Sequence, residues 1–600
     1  MAKRKLRVAE RSKDDSSGIG RILYSVADGC ICVKRTSGTL TIEQPLANFS
    51  AQIAREVIRD DGVDEHRRFE VRGKLADGTE LPPIHVDAED LSGPGWALEM
   101  WGARANVSAE RDTAAHLRAA LQTLSNPEST RVYRHTGIRE IDGKRVFLHA
   151  GGAIGASGVV TDIGGELARY RFPVEVHDPR EALETSLRFL DLAPLAVTVP
   201  MHGGAFRAPT CSILPCDMTI WLFGKTGSLK STLLGSVLNH FGDFGRTGFP
   251  GSWEDTAASI ENLLFLCKDV LGAVDDFAPK AGETWDDLRA KAGRVLRAVG
   301  NGAARGRMNS DSTARPNRPP RGLLISTGED MPNGESILAR ILVLRIVEGT
   351  VSKALVSELE TSRSRLNHAM AGYIGEFVLP HYAMLQVWVP ERFRELRSLF
   401  QSTGGHLRTP EALAHVALGV EMMTLYAVQI GLFNAPKAAK FNKDALEVLR
   451  TLGATQGADV RSADPVLRFI AVLQGLMIQG HVCLQHDLAA PLMPTIGRAE
   501  YFGWKSMVAG LVFLLPDPTF RVVVHAMQLA RESMPLSAQT LWERLIERGL
   551  LRPGDKGHHT SKQALGGGRP RVLVMPIRVL FEGRASEDGG GAAELLAPQP

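Results

Sequence analysis

The segment Trp221-Leu-Phe-Gly-Lys-Thr-Gly-Ser-Leu-Lys-Ser-Thr joins an apolar run to residues suited to holding phosphate. Backbone N–H groups in a Gly-containing turn, opening onto a helix N-terminus, can cradle phosphate oxygens. A lysine then adds a cation at the β- and γ-phosphates, and a hydroxyl ligates Mg²⁺. Lys230 and Ser231 are the candidates for those two roles. The candidate nucleotide-binding loop is Gly224, Lys225, Thr226, Gly227, Ser228, Leu229, Lys230, Ser231 and Thr232. Against G-x-x-x-x-G-K-[ST], Gly224, Lys230 and Ser231 are in register, but the glycine expected before the lysine is Leu229. A bulky residue accepts positive φ poorly, so the substitution costs backbone freedom. Taken alone, a plain strand–turn–helix with a solvated lysine would look the same.

The acids downstream separate the two readings. Val270-Leu-Gly-Ala-Val-Asp275-Asp276-Phe is an apolar strand ending in paired carboxylates, as a Walker B element requires. Asp275 is expected to hold Mg²⁺, together with Ser231, and Asp276 to polarise the attacking water. The usual second acid is glutamate, and Asp276 has a shorter reach. A third apolar strand, beginning at Arg321, ends in Ser326 and Thr327. P-loop ATPases of the additional-strand type carry a polar sensor at that place, so Thr327 joins the catalytic candidates. Arg340, just before another apolar strand, is the candidate to reach a neighbouring subunit's γ-phosphate.

These residues need a parallel α/β sheet to bring them to one edge. The 600 residues suggest three to five domains, and 44% hydrophobic with 23% charged residues is ordinary for a globular chain. The expected organisation is a basic disordered tail (1–18), a β-rich N-terminal domain (19–127) and a connecting subdomain (128–205). The P-loop ATPase core (206–350), a helical domain (351–530), a winged-helix-like domain (531–580) and a disordered tail (581–600) follow. The period-two pattern from Arg21 to about Ser108 supports strands, and the 3–4 apolar spacing beyond 350 supports helices. The Gly-rich stretch 149–158 is expected to be a loop. No run of about 18 apolar residues occurs, and Ala412 to Phe433 reads as a buried helix. The basic N-terminus lacks an apolar h-region, which excludes a secretory signal. Six cysteines in this length argue against a disulfide scaffold. The expectation is a soluble, cytoplasmic, prokaryotic protein with no membrane partner.

The balance of 70 Lys+Arg to 67 Asp+Glu hides concentrated charge. Residues 289–321 hold nine basic residues and one acid, Asp311, between the acid strand and the Thr327 strand. With its Gly- and Asn-rich second half, this insert is a candidate for binding single-stranded DNA, with Arg305 and Arg307 as the leading residues. Residues 544–578 hold eight basic residues and two acids. There a helix is followed by a Gly-rich basic turn and a strand from Arg571, the pattern of a winged helix. Lys562, Arg569 and Arg571 are its candidate DNA contacts, and Trp542 is expected in the core. The first 13 residues are basic too, so three basic segments sit on an acidic remainder.

With these residues laid out, the chain resembles a family of P-loop ATPases first catalogued as a domain of unknown function. Its members are encoded beside primase-polymerase modules in bacterial plasmids, phages and integrated elements. The resemblance rests on GKTGSLKST, GRTGFPGSWEDTAASIE, AVDDFAP, GNGAARGRMNSD and PPRGLLISTGED with Arg340, and on DDG (60–62) and VYRHTG (132–137). It spans about 20–350. It implies an AAA+-like ATPase akin to superfamily 3 replicative helicases, using ATP and Mg²⁺. In that likeness Lys230 and Ser231 serve nucleotide and metal, Asp275 and Asp276 form Walker B, and Thr327 is the sensor.

The resulting expectation is a ring-forming, hexameric DNA motor of a mobile element, translocating on single-stranded DNA. Duplex origin DNA and a primase are candidate partners. Three alternatives use the same residues: an initiator or loader that binds duplex DNA without unwinding it, a P-loop enzyme phosphorylating a small molecule or protein, and an ATPase with a regulatory or defence role.

Overall fold

Four apolar runs and the short Gly251–Ser252 strand assemble into the sheet that carries the candidate phosphate loop. In the computed structural model its strand order is Gly251–Ser252, Leu271–Phe277, Leu323–Gly328, Thr219–Phe223, Ile341–Arg345. The pairings of Gly251–Ser252 with Leu271–Phe277, of Leu271–Phe277 with Leu323–Gly328, and of Leu323–Gly328 with Thr219–Phe223 are parallel. Strands covered on both faces must be apolar almost throughout, and Ile220, Trp221, Leu222, Ala273, Val274, Leu324 and Ile325 are all buried. Parallel pairing brings the carboxyl ends of the strands to one edge, where open α/β sheets bind ligands. Helices Lys230–Leu238, Ala257–Leu266 and Trp285–Asn301 connect the strands. The longest of these begins with a reciprocal cap: the Thr284 side chain accepts from the Asp287 amide, and the Asp287 carboxylate accepts from Thr284.

The structure describes residues 23–581 other than 38–39, 246, 281, 304–305, 307–315, 333, 402–407, 463, 495–498, 531–533, 535 and 556–557. The expected tail 1–18 and all of the expected tail 581–600 except Phe581 lie outside the described residues, as do Arg305 and Arg307. The chain divides into two units, Met1–Asp330 with Leu344–Phe393 and His415–Ala445, and Met331–Val343 with Arg394–Ala414 and Leu446–Pro600.

In the first unit the N-terminal residues form strands. Phe49–Asp60, Glu65–Leu75 and Glu80–Asp87 pair antiparallel, and Glu128–Tyr133 adds to Phe49–Asp60 in parallel. A boundary at 127 therefore cuts through one sheet. Under it, Phe49, Trp96 and Trp101 pack edge to face with ring centroids 5.2–6.2 Å apart. The 149–158 stretch is not wholly a loop, because Gly152–Ile154 returns antiparallel along Lys144–His149.

The second unit has its own core. Strands Val482–Gln485, Glu500–Ser506, Leu511–Leu514, Arg571–Pro576 and Ser561–Lys562 form one sheet in that order. Helices Pro465–Ile478, Pro516–Leu529 and Ala538–Glu547 pack with it in a single hydrophobic cluster from Val466 to Leu580. The expected break between 530 and 531 falls inside this cluster. Arg571–Pro576 pairs antiparallel with Leu511–Leu514, a long-range contact that local periodicity does not report. Among the described residues, Thr409–Gln429 is the one helix long and apolar enough to cross a membrane, and 83% of its apolar window is buried.

Candidate nucleotide site

Strand Thr219–Phe223 ends at Gly224, and the chain turns through Gly227 (φ 82°) and Leu229 before helix Lys230–Leu238 begins. Gly224 is required by close approach: a Cβ there would lie 2.5 Å from the Ile346 carbonyl and 2.8 Å from Ser228 Oγ. Leu229 occupies the left-handed region at φ 69°, ψ 29°. The loop thus keeps the conformation that a glycine would adopt freely, and the leucine bears a steric cost of about 1–2 kcal/mol. Lys230 Nζ donates to the Gly224 carbonyl at 2.7 Å and to the Lys225 carbonyl at 3.0 Å, so the ammonium fills the hollow of its own loop. Burial lowers the Lys230 pKa from its ordinary value, against the opposing charges of Glu329, Asp276 and Asp275.

Three segments distant in sequence meet at Asp275. Ser231 Oγ donates to Asp275 Oδ1 at 3.1 Å, and Thr327 Oγ1 donates to the same oxygen. Thr327 Oγ1 also accepts the Asp276 N–H at 3.0 Å. Burial raises the Asp275 pKa, while the Thr327 and Ser231 hydroxyls pull it down. Asp276 departs from strand geometry. It sits at φ 60° in a register shift between Val274 and Phe277, and its side chain is exposed. A bulge re-aims a side chain, and Asp is among the few non-glycine residues that adopt the left-handed region readily. That conformation favours aspartate here over the longer acid.

The neighbouring hydroxyl does different work. Ser326 Oγ donates to the Val274 carbonyl and accepts the Trp253 indole N–H, each at 2.8 Å, on the buried side of the strand. Strand alternation sends Thr327 to the site and Ser326 away from it. Two participants were not singled out from the sequence. Glu329 accepts a hydrogen bond from Thr226, and the buried Trp253 donates its backbone N–H to the Asp275 carbonyl at 3.0 Å. The only sequence signal for Glu329 was its place just after the Thr327 strand.

Arg340 belongs to the other unit, where its guanidinium donates to the Ser336 carbonyl and, at 2.6 Å, to Ser336 Oγ. In the basic insert, five of the nine cations have partners elsewhere in the first unit. Arg289 meets Asp330, Lys291 meets Glu283, Arg294 grips Glu261 through two 2.6 Å bonds, and Arg318 meets Asp61 and Asp64. Arg321 donates to the Phe265 and Asp61 carbonyls and stacks on the Phe265 ring. The lack of balancing acids within 289–321 is therefore a property of the sequence interval, not of the space around it.

The same contacts explain DDG and VYRHTG. Gly62 stands at φ 92°, where a Cβ would lie 2.7 Å from an Arg321 nitrogen. A Cβ on Gly137 would lie 2.3 Å from the Lys268 carbonyl. Asp269, immediately before the acid strand, accepts from the Ile138 amide at 2.9 Å. Both motifs thus brace the two strands that end in Asp275 and Thr327.

In the second unit, Lys562 lies opposite Arg571 in an antiparallel pair that follows helix Ala538–Glu547. Lys562, Arg569 and Arg571 are exposed. Trp542 is 4% exposed and packs edge to face on Phe469 and Phe520, as expected of a core residue.

No family model matches the chain, and no curated protein matches it. Among solved structures, one titled "SCCmec type IV Cch - active helicase" aligns over 94% of this chain and 100% of its own, at 12% identity and a TM-score of 0.53. The A-form apo structure of the NrS-1 C-terminal region aligns over 67% of this chain and 87% of its own, at 10% identity and a TM-score of 0.25, too low to carry an argument. The first match establishes a shared fold, with an α/β core.

Proposed function

We propose that this chain is an ATP-hydrolysing DNA motor of the replicative-helicase kind, working as a ring on single-stranded DNA. The observation that carries the ATPase reading is the convergence of Ser231 and Thr327 on one oxygen of Asp275, beside a lysine-filled phosphate loop. The strand order supports it, since Leu323–Gly328 lies between the loop strand and the acid strand, as an additional-strand ATPase requires. Hard oxygen donors from Ser231 and Asp275 suit Mg²⁺. When bound, the ion would offset phosphate charge. Lys230 would exchange its two carbonyl partners for phosphate oxygens, and Thr327 would hold Asp275 ionised. Asp276, exposed by its bulge, would orient and deprotonate the attacking water. Arg340 of an adjacent copy would meet the charge that develops on the γ-phosphate.

The helicase step draws on the shared fold and on the basic segments. Insert residues Arg305 and Arg307 would follow the single strand, with Lys562, Arg569 and Arg571 on duplex DNA. ATPase rate with and without single-stranded DNA tests both parts. Lys230→Ala should abolish hydrolysis, and the double Arg305→Ala/Arg307→Ala variant should lose DNA stimulation while keeping its basal rate. A Lys230→Ala variant that still hydrolyses ATP would end the reading. ATP-dependent duplex binding with no strand displacement on a forked substrate would favour an initiator or loader instead.

A further inference from the structure

Beginning three residues before the phosphate-loop strand, a group of buried ionisable side chains has no part in nucleotide chemistry. Cys211 and Cys216 are 3% and 6% exposed, and their sulfurs are 3.5 Å apart, with the Cys211 thiol donating to Cys216. His415 Nδ1 lies 3.9 Å from Cys216 Sγ, and His415 Nε2 lies 3.3 Å from Asp217 Oδ1. A cysteine, a histidine and a carboxylate thus stand in line, with a second cysteine against the first.

Arg207 makes the arrangement more than a packing accident. It is fully buried, and its guanidinium donates to Thr210 Oγ1 at 2.8 Å and to the Leu214 carbonyl. Among the described residues no carboxylate pairs with it. A buried cation without a paired carboxylate is unfavourable, and it favours a negative group nearby. The Cys216 sulfur is the group that can become one. Burial opposes its ionisation, but the Cys211 hydrogen bond, Arg207 and His415 outweigh that and bring its pKa well below the ordinary thiol value. Burial likewise opposes a charged His415, yet Cys216 and Asp217 raise its pKa. The proton removed from Cys216 therefore has a place on His415, whose imidazolium is held by Asp217. Cys211, the donor of the pair, is pushed the other way and keeps its proton.

We propose that Cys216, set between Cys211 and His415, is modified by hydroperoxides and that Cys211 resolves the product into an intramolecular disulfide. The Cys216 thiolate attacks one peroxide oxygen, forming an S–O bond as the O–O bond breaks. The departing hydroxide takes the His415 proton and leaves as water. The Cys211 thiol then attacks the Cys216 sulfur, so that the S–S bond forms and the S–O bond breaks. The released oxygen leaves as a second water with the Cys211 proton. Two thiol sulfurs are oxidised by two electrons, and the peroxide is reduced to two waters. Closing the sulfurs from 3.5 Å to about 2.05 Å is a small movement for the turn between them. Ser212 and Pro215 of that turn are exposed and Asp217 is half-exposed, so the pair is flanked in sequence by residues that water reaches. Cytosolic disulfides of this kind are characteristically transient and redox-sensing. Low-pKa thiols that peroxide can reach and that lie beside a resolving cysteine are the ones it selects.

The test is independent of the ATPase reading. Full-length protein is exposed to hydrogen peroxide, quenched in acid and unfolded. Differential alkylation and peptide mass spectrometry then read each cysteine. The Cys211–Cys216 disulfide should accumulate at least tenfold faster than oxidation at the half-buried Cys30 and Cys483. In Cys211→Ser, a carbon nucleophile should trap sulfenic acid at Cys216. Wild-type protein in which the pair stays reduced while Cys483 oxidises would overturn the proposal, without reliance on any variant folding. A Cys211→Ser variant with no sulfenic acid at Cys216 would also overturn it.

Discussion

Replacing Thr327 with valine keeps the side chain's shape and removes the hydroxyl that ties the two acids together. Thr327 is 1% exposed; its oxygen donates to Asp275 and accepts the Asp276 amide. A hydrogen bond to an ionised group contributes about 1.5–3 kcal/mol, and orphaning a buried donor costs about 1–3 kcal/mol. Both acids are partly reached by water, which places the sum at the low end, about 2.5–3 kcal/mol. At about 2–4 °C per kcal/mol for a large domain, the unfolding midpoint should fall by roughly 5–12 °C at pH 7.5. Tryptophan fluorescence is a suitable probe because Trp253 packs beside the site. Thr327→Ser should recover most of the loss. Protonation adds a second signature. The folded pKa of Asp275 lies above its ordinary value because of burial. That group's contribution is therefore complete below its unfolded pKa and lost as pH rises through the folded pKa. Valine removes the main hydrogen bond favouring the ionised form, so the deficit should shrink between pH 7.5 and pH 4 as Asp275 takes up its proton. A valine variant as stable as wild type at pH 7.5, or one equally weakened at both pH values, would show that this hydroxyl does not hold the acid.

Gly62→Ala should destabilise the first unit by about 1–3 kcal/mol, from strained backbone and the Arg321 clash, with a lower thermal midpoint as the readout. Trp542→Ala should cost the second unit about 3–5 kcal/mol through the cavity it leaves. Arg571→Ala should shift stability by less than about 0.5 kcal/mol. If the exposed strand pair meets phosphate, it should also reduce the salt slope of duplex binding by about 1. His135, His149 and His240 are held near a pKa of about 4, mainly by burial, so they fold uncharged. Their contribution is present above the unfolded value near 6.5 and is lost as pH falls toward 4. The unfolding midpoint should accordingly drop between pH 7 and pH 4.5, and a midpoint flat over that range would contradict their burial as neutral rings.

Much of the candidate site was legible because its parts are local. Lys230 and Ser231 follow an apolar strand and a Gly-containing turn, and neighbours in sequence alone set that strand–turn–helix geometry. Asp275 and Asp276 were visible for the same reason, as acids closing an apolar run. Leu229 looked like a defect in the loop, whereas the backbone holds it in the left-handed region that the motif needs. The spacing could not show that, because strain is borne by the surrounding packing.

What belonged to the tertiary structure alone was every pairing across long sequence separation. Ser231 meets Asp275 from 44 residues away, and Arg318 meets Asp61 from 257 away. Sequence counting saw the insert as a net positive interval, while folding brings acids from Asp61 to Asp330 against four of its cations and backbone carbonyls against Arg321. Strand Arg571–Pro576 likewise joins Leu511–Leu514, merging what periodicity divided into two domains. The buried Cys216 and His415, 199 residues apart, carried no sequence signal at all. Residue type and local order set which chemistry the chain can perform, because they fix charge, reach and backbone preference. The fold decides which groups are charged, paired or hidden, because Coulomb and hydrogen-bond energies depend on distance in space and on exclusion of water.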